Sequence, residues 1–329
     1  MMKNRRSFII GVKSTVLQAK EKNFLKKYKP WGVILFSRNI KSITQTKKLT
    51  DNIRKIFKDQ KYPILIDQEG GRVSRLNELI ESSIFTGEFF GKLYNQNIKK
   101  FNVYSEIFIN QTCDLLEKIG VNINTVPVLD VRRKKSSKVI GDRSFGFNPK
   151  KVSKIGDYFI NQFQKNNIAT VIKHIPGHGL ARVDSHKSTP FIKSKLKNLN
   201  KIDFLPFKNK KSLFAMTSHV VYNDIDKNFT ATHSSKVIKF IRNKIKFKNL
   251  LISDDISMKS LKFSISENTK KAFKAGCDLV LHCNARYSEM IEVAKNSPKV
   301  NAFITKKTSQ FYKILSLYYK YVKHRFWSI

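Results

Sequence analysis

The sequence predicts an α/β fold of the (β/α)8 TIM-barrel type. Eight short, nearly continuous apolar runs recur along its 329 residues, each separated from the next by a stretch with helical periodicity. Polar residues able to do chemistry gather where these runs end. No G-x-G-x-x-G turn follows an early run, which leaves a doubly wound open sheet as the second reading.

The first strand is expected at residues 8–12. Its basic leader resembles a secretion signal until Lys13 interrupts the apolar stretch, and no small-residue cleavage pattern follows, so it reads as a strand of a cytoplasmic protein. Helical periodicity over 14–28 leads to the run 32–36, and 43–58 leads to 63–66. Segment 102–119 precedes the run 121–126, and 149–166 precedes 169–172. The helical stretches 198–208, 235–245 and 266–275 lead in turn to the runs 213–216, 250–252 and 279–281. Two more helical segments, 288–295 and 307–323, follow the last run. Strands buried on both faces and alternating with helices imply a parallel sheet. About eight such units fit a barrel of ~250 residues, with room for insertions, as one domain over 1–329.

The formal charge is +40, from 64 basic and 24 acidic residues. The lysines are spread over the whole chain, without a basic arm, an RNP-type aromatic motif or zinc-finger spacing. They read as a solvated surface with no specific nucleic-acid partner. The alternatives are attraction of an anionic substrate or a non-enzymatic basic binding protein. Three cysteines are too few for a disulfide scaffold and suit a reducing compartment. No apolar run reaches the ~18–20 residues needed to cross a bilayer, so no membrane insertion is expected. A monomer is expected.

The run ends carry Arg38 and Asn39, Asp67, Lys173 and His174, Ser218 and His219, Asp254 and Asp255, and His282 with Asn284. In a barrel all these ends converge on one mouth, where active sites are built. In segment 64–76, Asp67, Glu69, Arg72 and Arg75 follow a buried strand, and Gly70 and Gly71 permit a tight turn. Carboxylate acceptors beside forked guanidinium donors suit a ligand rich in hydroxyls, although a local Asp–Arg pair holding a turn would look the same.

Segment 171–190 holds three histidines, His174, His178 and His186. Pro176, Gly177 and Gly179 prevent the helix that would put imidazoles four apart on one face, and no HExxH pattern occurs, so no metal or other cofactor is expected. Asp184 lies two residues before His186, close enough to fix its tautomer and raise its basicity as an acid/base dyad. Its structural alternative is a capped turn beside an ordinary loop histidine. Asp254 and Asp255 end the seventh run, and neighbours on an extended chain point to opposite sides. One carboxylate can therefore face the mouth, as a nucleophile or as the stabiliser of a developing cation. Ser253 or Asp255 is a candidate cap for a following helix. No G-x-S-x-G elbow or P-loop occurs.

Taken in order, GVILFSRN (32–39), IDQEGGRVSRL (66–76), NINTVPVLDV (122–131), IGDRSFG (140–146), KHIPGHG (173–179), DSH (184–186), MTSHV (216–220), ISDDISM (252–258) and AGCDLVLHCN (275–284) resemble bacterial β-N-acetylhexosaminidases of glycoside hydrolase family 3, the cytoplasmic type that recycles peptidoglycan. The resemblance implies a (β/α)8 barrel without a cofactor, acting on a carbohydrate such as a muropeptide. It implies Asp254 as the nucleophile of a covalent glycosyl-enzyme and His186 as acid/base with Asp184 as partner. Asp67, Arg75, Arg143, Lys173 and His174 match residues that bind the terminal N-acetylglucosamine. The chain departs from the family's usual GHGDT at Leu180, Ala181 and Arg182, which is expected to affect the order of the loop rather than its chemistry. A histidine acid/base carries no negative charge, so phosphate could also approach the intermediate, and phosphorolysis is the alternative reaction.

Overall fold

The computed structural model describes residues 4–134 and 137–325, with side chains as far as 316. The strands are β1 (Arg6–Gly11), β2 (Pro30–Leu35), β3 (Ile64–Ile66), β4 (Ile123–Asn124), β5 (Ala169–Ile175), β6 (Phe191–Ile192), β7 (Phe214–Thr217), β8 (Val221–Tyr222), β9 (Leu250–Asp255) and β10 (Leu279–His282). Eight of them close a parallel barrel in the order β1-β2-β3-β4-β5-β7-β9-β10, with β10 pairing back onto β1. All eight contain or overlap the runs expected from sequence. The remaining two, β6 and β8, pair as a small parallel sheet in loops beyond β5 and β7, which the sequence reading missed. Two-residue strands are too short to show an alternating pattern.

Alternation within the barrel strands separates two cores. Ile9, Ile34, Leu65, Val171, Phe214, Ile252 and Leu281 point inward as one buried cluster, while Phe8, Ile10, Val33, Leu35, Ile64 and Ile172 pack outward among the helices. The helices are α1 (Ala19–Tyr28), α2 (Ile43–Phe57), α3 (Gly87–Gln96), α4 (Ile98–Lys118), α5 (Pro149–Lys165), α6 (Leu196–Lys201), α7 (Ser235–Phe240), α8 (Ile265–Ala275), α9 (Tyr287–Asn296) and α10 (Ala302–Arg325).

Caps explain several boundaries. Asn148 accepts from the amides of Lys150 and Lys151 with Pro149 in the first turn of α5, and Ser264 and Glu267 form a capping box at α8. The expected helix 102–119 starts earlier, at Ile98, because Asn97 accepts from Lys100 N and also ends α3. That α3 helix was absent from the sequence reading. The expected helix 14–28 begins only at Ala19, the expected 198–208 shrinks to α6 and a 3-10 turn, and 235–245 divides into α7 and a π turn. The amphipathic C-terminal segment closes the end of the barrel remote from the mouth. There Thr308 accepts from Trp31 Nε1 at 2.9 Å, and Phe311 meets Phe214 edge-on at 5.8 Å.

Candidate active site

The loops leaving the carboxyl ends of the strands enclose a cavity of about 610 Å³. Asp67, Arg75, Arg143, Lys173, His174, Asp184, His186 and Asp254 all line it. The eight residues singled out from sequence thus come together at one mouth.

The floor is a network of charges. After β3 the chain turns sharply through Gly70 at φ +89°, where a Cβ would meet Phe85 O at 2.3 Å. Gln68 organises this turn: its Oε1 accepts from the amides of Arg75 at 2.7 Å and Leu76 at 3.2 Å. The turn delivers Glu69, which takes a two-pronged grip from Arg143, with Nε and Nη2 each at 2.8 Å. Lys173 Nζ, from β5, reaches Glu69 at 2.6 Å and Asp67 at 3.0 Å, and Arg75 lies 3.7 Å from Asp67. Burial pushes the Asp67 and Glu69 carboxyls up, but Lys173 with Arg75, and Arg143 with Lys173, more than offset it. Both carboxyls fall below the ordinary range, Glu69 far below it.

Asp130, wholly buried after β4, holds the next layer. It accepts from His178 N at 2.6 Å and faces His174 Nδ1 at 2.6 Å. A carboxylate can only accept, so His174 Nδ1 carries the proton and Nε2 is left for other contacts. The Lys173–His174 peptide is cis. Asp130 is the site residue that reading by role missed, although it lies inside a quoted motif; the usable signal was its place in the segment beyond β4.

Asp254 and Asp255 behave differently although adjacent. Asp254 accepts from Asp255 N at 2.8 Å and, among the described residues, forms no salt bridge. Burial raises its carboxyl, but His219, His174, the Asp255 amide and Lys173 outweigh that and hold it below the ordinary range. Asp255 is taken up by Ser257 N at 3.0 Å and Ser257 Oγ at 2.8 Å. It caps this short turn and not a helix, since α8 begins only after Ser264, and Ser253 Oγ instead accepts from Leu281 N at 2.9 Å. His219 Nε2 donates to Asp255 O at 3.0 Å, which steadies the backbone of the pair.

Above the floor, His186 Nδ1 lies 2.9 Å from Asp184 Oδ1, which also accepts from His186 N at 2.8 Å. The imidazole is 65% exposed. With Nδ1 protonated toward the carboxylate, Nε2 is the nitrogen available for exchange. Leu180 and Ala181 anchor the loop: Leu180 packs on the core, Ala181 is buried, and Ala181 O accepts from Ser137 N at 2.8 Å.

Other strand-end residues do not reach the cavity. Asn39 donates to Val12 O and Ser14 O, Ser218 pairs with Tyr222, and His282 and Asn284 bind Glu289. Arg38 donates to Val12 O and Cys283 O. These polar groups satisfy turns and buried backbone.

Residues 9–311 match the glycosyl hydrolase family 3 N-terminal domain. The chain belongs to glycoside hydrolase family 3. As a family 3 member it is a glycosidase. It is 34% identical over 288 residues to a beta-hexosaminidase of Actinobacillus pleuropneumoniae, covering 84% of this chain and 80% of that protein. A beta-hexosaminidase of Haemophilus ducreyi is 34% identical over 289 residues, with the same coverage. The structure of NagZ from Neisseria gonorrhoeae in complex with N-trifluoroacetyl-D-glucosamine superposes with a TM-score of 0.84 at 27% identity, covering 94% of this family 3 chain and 90% of that one.

Proposed function

We propose that this family 3 enzyme is a retaining exo-β-N-acetylglucosaminidase that removes terminal N-acetylglucosamine from muropeptides. The observation that carries the reading is Asp254, a carboxylate that forms no salt bridge among the described residues, lining the same cavity as the Asp184–His186 dyad. Beta-hexosaminidase relatives and a N-trifluoroacetyl-D-glucosamine complex in a structural neighbour support the hexosamine preference. Asp67, Arg75, Arg143, Lys173 and His174 supply acceptors and donors for the hydroxyls of the terminal sugar.

In the first step Asp254 attacks the anomeric carbon as His186 protonates the departing oxygen, giving a covalent glycosyl-enzyme. In the second, neutral His186 removes a proton from water, which displaces Asp254 and releases the sugar with its configuration retained. Asp184 stabilises the imidazolium that gives up its proton in the first step and is regenerated in the second. We place the enzyme in the cytoplasm, as a single-domain monomer acting in cell-wall recycling. Among the described residues no helix is long and apolar enough to cross a membrane.

A chromogenic aryl β-N-acetylglucosaminide tests the reading: release of β-configured N-acetylglucosamine, followed by NMR, is expected, and an initial α product or no turnover refutes it. Phosphorolysis is a second reading, favoured by Arg72, Lys138 and Lys187 on the cavity wall. It requires sugar phosphate at high phosphate concentration, and its absence there removes the variant.

A further inference from the structure

Beside the 177–190 loop lies a second, smaller groove of about 90 Å³. Three segments at the mouth build it: Thr189 and Phe191 beyond β5, Phe229 and Thr230 beyond β8, and Ser260 and Phe263 beyond β9. Its three phenylalanines are 50%, 37% and 41% exposed in chain order. Single exposed apolar residues are ordinary, but three rings around one cleft form a patch that a partner would cover. The polar groups between them point the same way. Ser260 and Thr230 are 1% and 6% exposed, and their buried hydroxyls have no hydrogen-bond partner among the described residues. A buried hydroxyl left unpaired is costly, so a ligand that brings its own hydroxyls is favoured there.

Flat aromatic faces with hydroxyls between them fit a sugar ring, which presents C–H faces and a girdle of hydroxyls. The charge agrees with a neutral or acidic saccharide. No carboxylate lines the groove, Lys262 does, and Lys271 Nζ stands 4.2 Å from the Phe263 ring centre and 5.4 Å from that of Phe229.

The groove also adjoins the cavity along two separate segments. Lys187 lines the cavity and Thr189 the groove; Met258 lines the cavity and Ser260 the groove. Both segments are turns, and two residues span at most about 7 Å even when extended, within the reach of one sugar unit and its linkage. A seam joins these segments: Thr189 Oγ1 donates to Ser260 O at 2.7 Å, and Ser260 N donates to Ser185 O at 3.1 Å.

We infer that the groove is a distal saccharide subsite, holding a sugar on the reducing-end side of a substrate whose terminal residue sits in the cavity. This rests on the exo-glycosidase reading above. The test compares an aryl β-N-acetylglucosaminide with N-acetylglucosamine oligomers of two to four units, in wild type, Phe229→Ala, Phe263→Ala and the bulk-retaining Phe263→Leu. The alanine variants should raise KM for the tetramer about two- to tenfold while leaving the aryl substrate within about twofold. Phe263→Leu keeps apolar volume without the flat ring and should fall between. Equal changes on both substrates, or none on either, overturn the subsite. If wild type cleaves neither substrate, the functional reading fails, and titration with the tetramer judges the groove by itself. Weaker binding by the variants than by wild type then supports it, and equal binding overturns it.

Discussion

His178 Nε2 lies 3.3 Å from Ser185 Oγ, so a buried imidazole holds the residue that separates Asp184 from His186. Burial, with His174 nearby, pushes the His178 ring down to about 4, which keeps it neutral at physiological pH. Its own amide is fixed by Asp130, so a rigid anchor at the top of the barrel reaches into an exposed loop. Ser185→Ala removes one neutral hydrogen bond, worth roughly 0.5–1.5 kcal/mol, and should lower kcat about two- to tenfold. The loss should grow as the leaving group becomes poorer, because the bond positions the proton donor. A loss independent of the leaving group would mean that the contact merely stabilises the loop.

Asp254→Asn keeps shape but removes the nucleophile. Turnover of an aryl β-N-acetylglucosaminide should fall by at least about a thousandfold, with the melting temperature little changed. Rates near wild type would remove Asp254 from the reaction.

His186→Ala should spare substrates with good leaving groups and suppress those that need protonation. A series of aryl glycosides of graded phenol pKa reads this directly, through a steeper dependence of kcat on leaving-group pKa than in wild type. The same slope in both enzymes would assign the protonation elsewhere.

Glu69 links Arg143 and Lys173, and removing it leaves two buried cations facing each other. Glu69→Ala should cost roughly 3–5 kcal/mol of stability, measured by urea unfolding. Its depressed carboxyl also contributes to the acid limb. That stabilisation is complete above the ordinary carboxylate pKa of the unfolded chain and is lost as pH falls toward the lower folded value. Melting temperature followed between pH 7 and 3 should fall less steeply in Glu69→Gln than in wild type.

Asp203 has the opposite sign. Both of its carboxyl oxygens are buried without a hydrogen-bond partner among the described residues, its backbone packs under Gly177, and burial pushes it up to about 7 despite Arg133 at 3.9 Å. The folded state holds this proton more tightly than the unfolded chain, so stability is lost as pH rises from the ordinary carboxylate range to about 7. Asp203→Asn should be more stable than wild type at pH 8 and gain little at pH 4. An equal gain at both values would show that ionisation is not the cause.

The order of strands and helices was legible in the sequence, because burial on both faces writes continuous apolar runs and each barrel strand repeats that signal. Candidate chemistry was legible too: Asp67, Lys173, His174 and Asp254 stand where buried strands end, and an Asp two residues from a His needs only a turn to meet it. Sequence alone could not sort those polar ends. Asn39, Ser218 and His282 occupy equivalent places yet satisfy nearby backbone or side chains, and which group faces the mouth depends on twist, register and neighbours far along the chain. The partners that set the charges, such as Glu69 with Arg143 74 residues away and Asp130 with His174 44 residues away, meet only after the barrel closes. Local pattern therefore determined the elements and named the reactive groups. Closure of the sheet decided which of them are paired, buried or free, because electrostatic environment is a property of distances in space and not of spacing along the chain.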